Sequence, residues 1–561
     1  MHALTGAAPV LRPIALNGAR AGVALQALLL CGLALAVRLS WLDAAPHIDE
    51  LYHLLAAEGW LSTGEPRIAG GVYERASLFT ILVGLSLETL GPGMPAARLP
   101  ALAAGIGLVG AIFLWVRAVA GPGAAWAAGL LMALSPLAVE LSQLARFYTL
   151  HALVFWLAVI AVFHVLDAAA ARTTRVAAGL FAVLAWPVAF HLQVLTVVGG
   201  LGLALWLAGG AAPAMWRRLR VGRPAHLLLA AGGLVALGGA AALALEGGLV
   251  ARLVHELRHT PLWAREYQNQ VHFYHFRLAQ QYPVLWPLTG VAVLAALAAR
   301  PRAASLCVLI FGTGFAVGSL GGMKDDRYLF YVLPFLFTIW GIAIATLAGG
   351  CVAAIRDLAK RVRRIFAPAL PAAPLGLAAG LAALAFALSA GSAPFKLAVD
   401  LAQGEQPDGT GRISGEWWAA APELRPLVAA ASVVVVSDEL AALAALGRAD
   451  VVVSASRLSD SDAFSEFSRD PRTGATMISE PASLGRVMRC APDGILIFSE
   501  RDLQNAWAVP EATYQEVRRR ARPLAATGGP ALRAFAWSHE RTTAAGCALP
   551  IARVLHRPER G

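Results

Sequence analysis

Apolar stretches of about 16–22 residues follow one another along the first 391 positions, and each can cross a hydrocarbon core of roughly 30 Å. A spanning helix satisfies its own backbone N–H and C=O groups, so a chain with many such runs is driven toward a bundle of membrane helices. The runs are 21–42, 97–118, 124–142, 150–167, 175–190, 192–210, 226–246, 284–299, 303–321, 328–349 and 370–391, about eleven helices in all. A twelfth run, 77–91, is short, carries Glu88 and ends in Gly91-Pro92, and reads as a helix lying along the interface. No small-residue cleavage site follows the first run, which reads as a retained helix that also directs insertion.

Charge supports this organisation. Only 14% of residues are charged, against about 25% in an average soluble domain, which excludes an ordinary soluble enzyme and a disordered chain. The formal net charge is +11, and the segment after 391 holds 19 Lys+Arg against 20 Asp+Glu. All of the positive excess therefore lies in the apolar part, where it reports loop topology and not a nucleic-acid surface. The basic clusters are Arg172/Arg175, Arg217/Arg218/Arg220/Arg223, Arg300/Arg302 and Arg356–Arg364. With eleven spans and a cytoplasmic N-terminus, all four fall inside. Loops 43–96, 143–149, 247–283 and 322–327 then lie outside, as does everything after 391.

Two domains follow: a membrane domain over 1–391 and an extracytoplasmic domain over 392–561. In the second, β-type runs at 432–437, 450–454, 494–499 and 532–537 alternate with helical patterns at 438–446 and 512–522. That alternation predicts a small α/β domain with a largely parallel sheet. No glycine-rich phosphate loop follows any of its strands. Cys490 and Cys547 fall here, and their export makes a disulfide between them one of two open outcomes. Cys31, Cys307 and Cys351 sit in or beside apolar runs and read as small hydrophobes.

Polar residues at the outer face of a membrane protein are costly, so they are the candidates for chemistry. The first group is His47-Ile48-Asp49-Glu50-Leu51-Tyr52-His53. One of two adjacent carboxylates can act as general base, and either can hold a divalent cation that neutralises a phosphate. The same pair also suits a helix N-terminus through the dipole alone. Next, Tyr73-Glu74-Arg75 stands where the chain returns to the membrane, and a guanidinium there suits a phosphate or anchors at the interface. Glu140 and Arg146 follow at a membrane exit, with Phe147-Tyr148 beside the arginine. Lys324-Asp325-Asp326-Arg327-Tyr328 is a mixed-charge loop leading into a span. The loop 247–283 is rich in His and aromatics, which fits an interfacial lid able to stack on sugar; His272 and His275 lack a carboxylate partner at metal-ligand spacing.

The order of these groups resembles the GT-C class of integral-membrane glycosyltransferases, in particular the branch of protein O-mannosyltransferases and the aminoarabinose transferase of lipid A. Asp49-Glu50 with Tyr52 looks like that family's Asp-Glu-x-x-Tyr form. Arg75-Ala76-Ser77 stands where the family has Lys-Pro-Pro. Ala97-Arg98-Leu99-Pro100 is similar to its Ala-Arg-Leu-Pro segment. Ser142-Gln143-Leu144-Ala145-Arg146-Phe147-Tyr148 looks like Ser-Gln-Glu-Ala-Arg-x-Tyr, with Leu144 in place of the Glu and Glu140 one turn earlier. Arg327-Tyr328 with Pro334 resembles the late Arg-Tyr…Pro segment. The resemblance covers roughly 35–350.

It implies transfer of a sugar from a polyprenyl-phosphate carrier to an acceptor hydroxyl at the outer face of the cytoplasmic membrane, by one-step displacement with inversion. Asp49 would be the base, with Glu50 supporting it or sharing a divalent cation such as Mg²⁺ or Mn²⁺. The family's branches differ in metal use, so both arrangements stand. Arg75, Arg146 and Arg327 would hold the phosphate. Tyr52 and Tyr148 would orient groups or stack on the sugar, Tyr328 would join the substrate-binding set, and Glu140 would take the second acidic role. The sugar and the acceptor stay open, the acceptor being a lipid, a glycan or a protein.

Three other classes fit parts of the pattern. A transporter of lipid-linked sugars places ionisable groups deep in its spans, and only His164, His191 and Glu246 come near that. An O-antigen ligase or polymerase relies on a large outer loop with Arg and His, which 247–283 resembles in content but which leaves the acidic pair unexplained. A non-catalytic scaffold would use the exported domain to bind a partner.

Overall fold

The computed structural model describes residues 14–40, 42–167, 170–220 and 269–366. After these it describes 396–397, 399–400, 415–455, 466–505, 508–524, 531–539, 547, 549–551 and 553–554. The membrane part is helical: α1 Ile14–Leu39, α2 Ile48–Thr63, α3 Ser77–Leu90, α4 Met94–Ala120, α5 Pro122–Leu134, α6 Pro136–Ser142, α7 Tyr148–Val165, α8 Arg172–Leu192 and α9 Thr196–Arg220. There follow α10 Phe273–Gln281, α11 Thr289–Ala299, α12 Pro301–Leu320, α13 Asp326–Leu329 and α14 Leu333–Phe366. Every apolar run of the sequence that falls on described residues is helical; 226–246 and 370–391 lie outside them.

Among the described residues, six helical segments are long and apolar enough to cross a membrane singly, and α5 with α6 makes a seventh. The eleven expected spans are thus present as helices only in part, because Thr196–Gly210 and Thr289–Ala299 are shorter apolar segments. The α5–α6 pair bends by 58°. Pro136 is the cause: the residue before a proline avoids the helical region, and Ser135 is extended at φ −62°, ψ 121°. The Ser135 hydroxyl then accepts the Ala138 N–H and starts α6. The short run 77–91 is α3, 14 residues long. At 1.5 Å per residue it spans about 21 Å, less than a bilayer core.

One apolar core joins α4, α5, α7, α12 and α14. Close approach is made by small residues: a Cβ on Gly341 would lie 2.7 Å from the Ala124 carbonyl oxygen, so α14 meets α5 backbone to backbone. Helix α1 keeps Leu25, Leu28 and Leu29 on its exposed side, as a lipid-facing helix does.

The C-terminal part carries a seven-stranded sheet. Its strands are β3 Val433–Val436, β4 Val451–Val453, β5 Ser468–Arg469, β6 Thr476–Ile478, β7 Asp493–Ser499, β8 Arg522–Pro523 and β9 Leu532–Ser538, after β1 Arg67–Ile68 and β2 Gly71–Val72 of the segment between α2 and α3. The order is β5-β6-β4-β3-β7-β9-β8. The inner strands β6, β4, β3 and β7 run parallel. The outer strands β5, β9 and β8 pair antiparallel. Buried on both faces, Val433–Val436 is the unbroken β-branched run that a central parallel strand requires. The four strands read from sequence are β3, β4, β7 and β9. The short β5, β6 and β8 lack a pattern of their own. Cys490 and Cys547 form a disulfide.

The two parts are not joined by chain alone. Leu51, Leu55 and Ala56 of α2 share one core with Trp417, Leu424, Val434, Leu440 and Ile497 of the C-terminal part. The β1–β2 hairpin docks beside them, with Gly70 N–H bonded to the Thr473 carbonyl at 3.1 Å and Val72 N–H to that of Pro471 at 3.3 Å. Helix α2 is therefore held between α3 and the α/β domain. This puts the segment after the first span and the C-terminal domain at the same end of the bundle.

Candidate active site

The segments expected outside meet at that end. The acidic pair opens α2, with His47 as its cap. Asp49 N–H donates to His47 Nδ1 at 3.0 Å, and His47 N–H donates to Glu50 Oε2 at 2.8 Å. This is a reciprocal capping box, which fixes the direction of both carboxylates. They point apart.

Glu50 points inward and is fully buried. Arg98 of α4 donates from Nε to Oε1 at 2.8 Å and from Nη2 to Oε2 at 2.7 Å. Ala145 N–H reaches Oε1 at 2.6 Å. The other edge of Arg98 donates to the carbonyls of Leu42 and Ala44 at 2.7 and 2.9 Å. One buried pair thus ties together the end of α1, the start of α2, the Ala-Arg-Leu-Pro segment and the turn before Arg146.

Asp49 faces the other way, and Arg327 Nη1 donates to its Oδ2 at 2.5 Å. Arg146 Nη1 donates to the Asp49 carbonyl at 3.0 Å and to the Tyr73 hydroxyl at 3.2 Å. Burial pushes the Asp49 carboxyl up, but the Arg146 and Arg327 guanidiniums beside it outweigh that and hold it well below the usual carboxylate range. Burial also works against the charge of Arg146, and Tyr73 and Asp49 more than restore it. Among the described residues the Arg146 Nε has no hydrogen-bond partner, although the residue is buried.

Aromatic rings seat these cations. Arg75 and Arg146 lie 5.6 and 5.2 Å from the Phe147 ring centre. Tyr148 lies between Arg146 at 5.6 Å and Arg327 at 5.9 Å. Tyr52 stacks on Tyr73 at 5.1 Å. Such contacts hold a guanidinium in place without consuming its N–H donors.

Above this floor is a cleft of 740 Å³ lined by Asp49, Tyr52, Tyr73, Glu74, Arg75 and Arg146. Its far wall is the 469–474 turn of the C-terminal domain, with Arg469, Asp470 and Arg472. The structure brings Asp49, Tyr52, Arg75 and Arg146 to the cleft itself. Tyr148 and Arg327 buttress it from behind. Tyr328 lines a separate, narrow pocket with Tyr274 and Tyr331. Glu140 is half-buried on α6 and does not line the cleft. Of the 247–283 loop, 269–283 is described, and it packs near the site: Tyr274 hydroxyl donates to the Asp325 carbonyl and Arg277 pairs with Asp326.

A cation shared by Asp49 and Glu50 does not fit this donor set. Both Glu50 oxygens are taken by Arg98 and backbone N–H groups, and one Asp49 oxygen, Oδ2, is taken by Arg327. Among the described residues no three His, Cys, Asp or Glu side chains converge to hold a metal.

The sequence reading missed the wall supplied by Arg469 and Arg472, since nothing in spacing links them to Asp49. It also assigned no role to Arg98, whose only signal was its place in the Ala-Arg-Leu-Pro segment, nor to Arg38, which is buried and bonded to Ser142 and the Ala133 carbonyl.

No family model and no curated protein matches the sequence. Solved structures do match the fold. ArnT from Cupriavidus metallidurans bound to undecaprenyl phosphate superposes with a TM-score of 0.58 at 16% identity, over 91% of this chain and 97% of that one. The chain has a GT-C fold. The archaeal oligosaccharyltransferase AglB from Archaeoglobus fulgidus, in complex with an inhibitory peptide and a dolichol-phosphate, gives 0.52 at 12% identity, over 89% of this chain and 72% of that one. The same oligosaccharyltransferase in complex with Zn and sulfate gives 0.50 at 12% identity, over 91% of this chain and 72% of that one. A coverage of 91% cannot be met by 1–391 alone, so the GT-C likeness extends into the C-terminal domain, where the sequence resemblance had stopped.

Proposed function

We propose that the protein is a membrane glycosyltransferase that moves a sugar from a polyprenyl-phosphate donor to an acceptor hydroxyl, with inversion at the anomeric carbon. The observation that carries this reading is Asp49, whose carboxylate accepts from Arg327 and whose backbone carbonyl accepts from Arg146, at the floor of a cleft that Arg75 also lines.

In this reading the donor phosphate lies against Arg75 and Arg146, with Arg327 behind them. The acceptor oxygen attacks the anomeric carbon while its proton passes to Asp49. The bond from the sugar to the phosphate breaks, and its electron pair leaves with the polyprenyl phosphate. Cationic groups fixed before the reaction stabilise that developing charge without reorganising. The arriving phosphate also competes for Arg146 and Arg327, which weakens their hold on Asp49 and raises its basicity when it must accept a proton. Glu50 and Arg98 position Asp49 from below. No step runs through a metal. The lipids bound in the two related folds, undecaprenyl phosphate in ArnT and dolichol-phosphate in AglB, are of the donor class proposed.

The active site and the C-terminal domain face the exterior of the cytoplasmic membrane in this reading. Support comes from the basic clusters at the opposite end, where Arg302 pairs with Asp167 and covers the Phe163 ring at 4.5 Å.

The test is a deletion strain complemented with wild-type protein or with Asp49→Asn. Mass spectrometry of its glycolipids and envelope glycans should show a sugar-bearing product restored by the wild type alone, at equal protein levels in the membrane. A product restored equally by Asp49→Asn would overturn the assignment and favour transport or scaffolding.

A further inference from the structure

The cleft has two cationic ends, and the proposed donor occupies one. Arg75 and Arg146 meet at the Phe147 ring beside Asp49. At the other end, the Arg472 guanidinium of the C-terminal domain lies 5.0 Å over the Tyr52 ring. Tyr52 stacks on Tyr73, and Tyr73 carries Arg146 on its hydroxyl. A pair of stacked tyrosines therefore separates Arg472 from the Asp49 centre.

Arg472 is a built site and not a loose surface charge. Buried Asp470 takes its Nε at 3.2 Å and its Nη2 at 2.7 Å, which fixes the guanidinium plane of a residue that lines the cleft. Asp470 also accepts the backbone N–H groups of Arg472 and Thr473. Arg469 stands on the same turn, tied to the Gly474 and Gly70 carbonyls. The turn itself is pinned to the β1–β2 hairpin. A Cβ on Gly71 would lie 2.4 Å from the backbone of Arg472, so the two chains touch with no side chain between them. Asp470 pairs with Arg472 and offsets one charge, which leaves Arg469 to give the turn its net positive charge, while Asp49 is held by Arg327 and Glu74 is exposed.

We propose that Arg472 and Arg469 form a second oxyanion subsite, which recognises a phosphate monoester or carboxylate on the acceptor near the hydroxyl that is glycosylated. This rests on the glycosyltransferase reading above. The C-terminal domain thereby selects the acceptor, while the membrane domain holds the donor. Planar guanidiniums match either oxyanion.

The experiment uses purified full-length protein in detergent and two kinds of probe. Decaprenyl phosphate is titrated first. Glucose 1-phosphate and glucuronate are then titrated into protein saturated with that lipid. At least one of the sugar anions should bind, and the one that does tells phosphate from carboxylate. Arg472→Gln should weaken that binding tenfold or more and leave decaprenyl phosphate affinity within twofold. Arg469→Gln, which breaks only contacts to carbonyls, should weaken it in the same direction and guards against a folding defect at Asp470. Absence of binding by both anions, equal binding in both variants, or displacement of the anion by decaprenyl phosphate overturns the proposal. Failure of decaprenyl phosphate to bind, or its indifference to Arg146→Gln, instead counts against the donor reading.

Discussion

Arg98 grips both oxygens of Glu50 in a pair from which solvent is excluded, while Asp49, one residue earlier, turns its carboxylate to the cleft. Adjacent acids thus separate into a structural and a reactive member. Successive residues on a helix point about 100° apart, and the His47 capping box decides which of them faces inward.

Removing one side of the buried pair leaves an uncompensated charge, which costs about 3–5 kcal/mol. Arg98→Met is therefore expected to lower the thermal midpoint of the purified protein sharply and to reduce its level in membranes. Asp49→Asn, at the more open pair with Arg327, should lower both less than Arg98→Met while abolishing transfer. A stable, active Arg98→Met protein would show that the pair does not hold the site together.

Asp49 has its pKa depressed by Arg146 and Arg327 against the opposing effect of burial. The sign follows directly: the charged pairing contributes stability above the ordinary carboxylate range, and that contribution is lost as pH falls through the lower folded value. The base likewise stays ionised well into acid in the wild type. In Arg327→Gln one of the depressing charges is gone and burial remains, so the acid limb of the pH–rate profile should move upward. An unmoved limb would mean that another group sets it.

Gly71 and Gly474 lie where the hairpin meets the C-terminal domain. A Cβ on Gly474 would fall 2.6 Å from the Gly70 backbone, and Gly474 itself is left-handed at φ +74°. Gly71→Ala and Gly474→Ala should loosen the docking. Trypsin is expected to cut at Arg469 and Arg472 faster than in wild type, with the acceptor-side anion affinity falling in parallel.

The disulfide between Cys490 and Cys547 closes a loop with a sequence separation of 57. Chain entropy gives such a crosslink about 4 kcal/mol of stabilisation. Cys490→Ser, or reduction of the wild type, should lower the unfolding midpoint of the C-terminal domain. An unchanged midpoint would show that the tail is held by packing alone, through Leu549 and Ile551 against the sheet core.

The membrane architecture was legible because the bilayer imposes it residue by residue: each span announces itself by length and apolarity, and the loops by their basic residues. Motif order likewise pointed to Asp49, Arg75 and Arg146, and the structure places all three at one cleft. What local sequence does not carry is direction and long-range pairing. It did not separate Glu50 from Asp49, since that depends on Arg98 arriving from another helix. It placed Glu140 and Tyr328 with the substrate, although the packing of α6 and α13 sets them off the cleft. Above all it left the C-terminal domain without a role. Arg472 reaches Tyr52 only because Leu51 and Leu55 of α2 share a core with Trp417 and Val434. Apolar burial between distant segments has no sequence periodicity that spans the gap. The sequence by itself determines a membrane bundle with acidic and basic groups gathered between its spans, and the tertiary structure alone decides that the α/β domain completes its cleft.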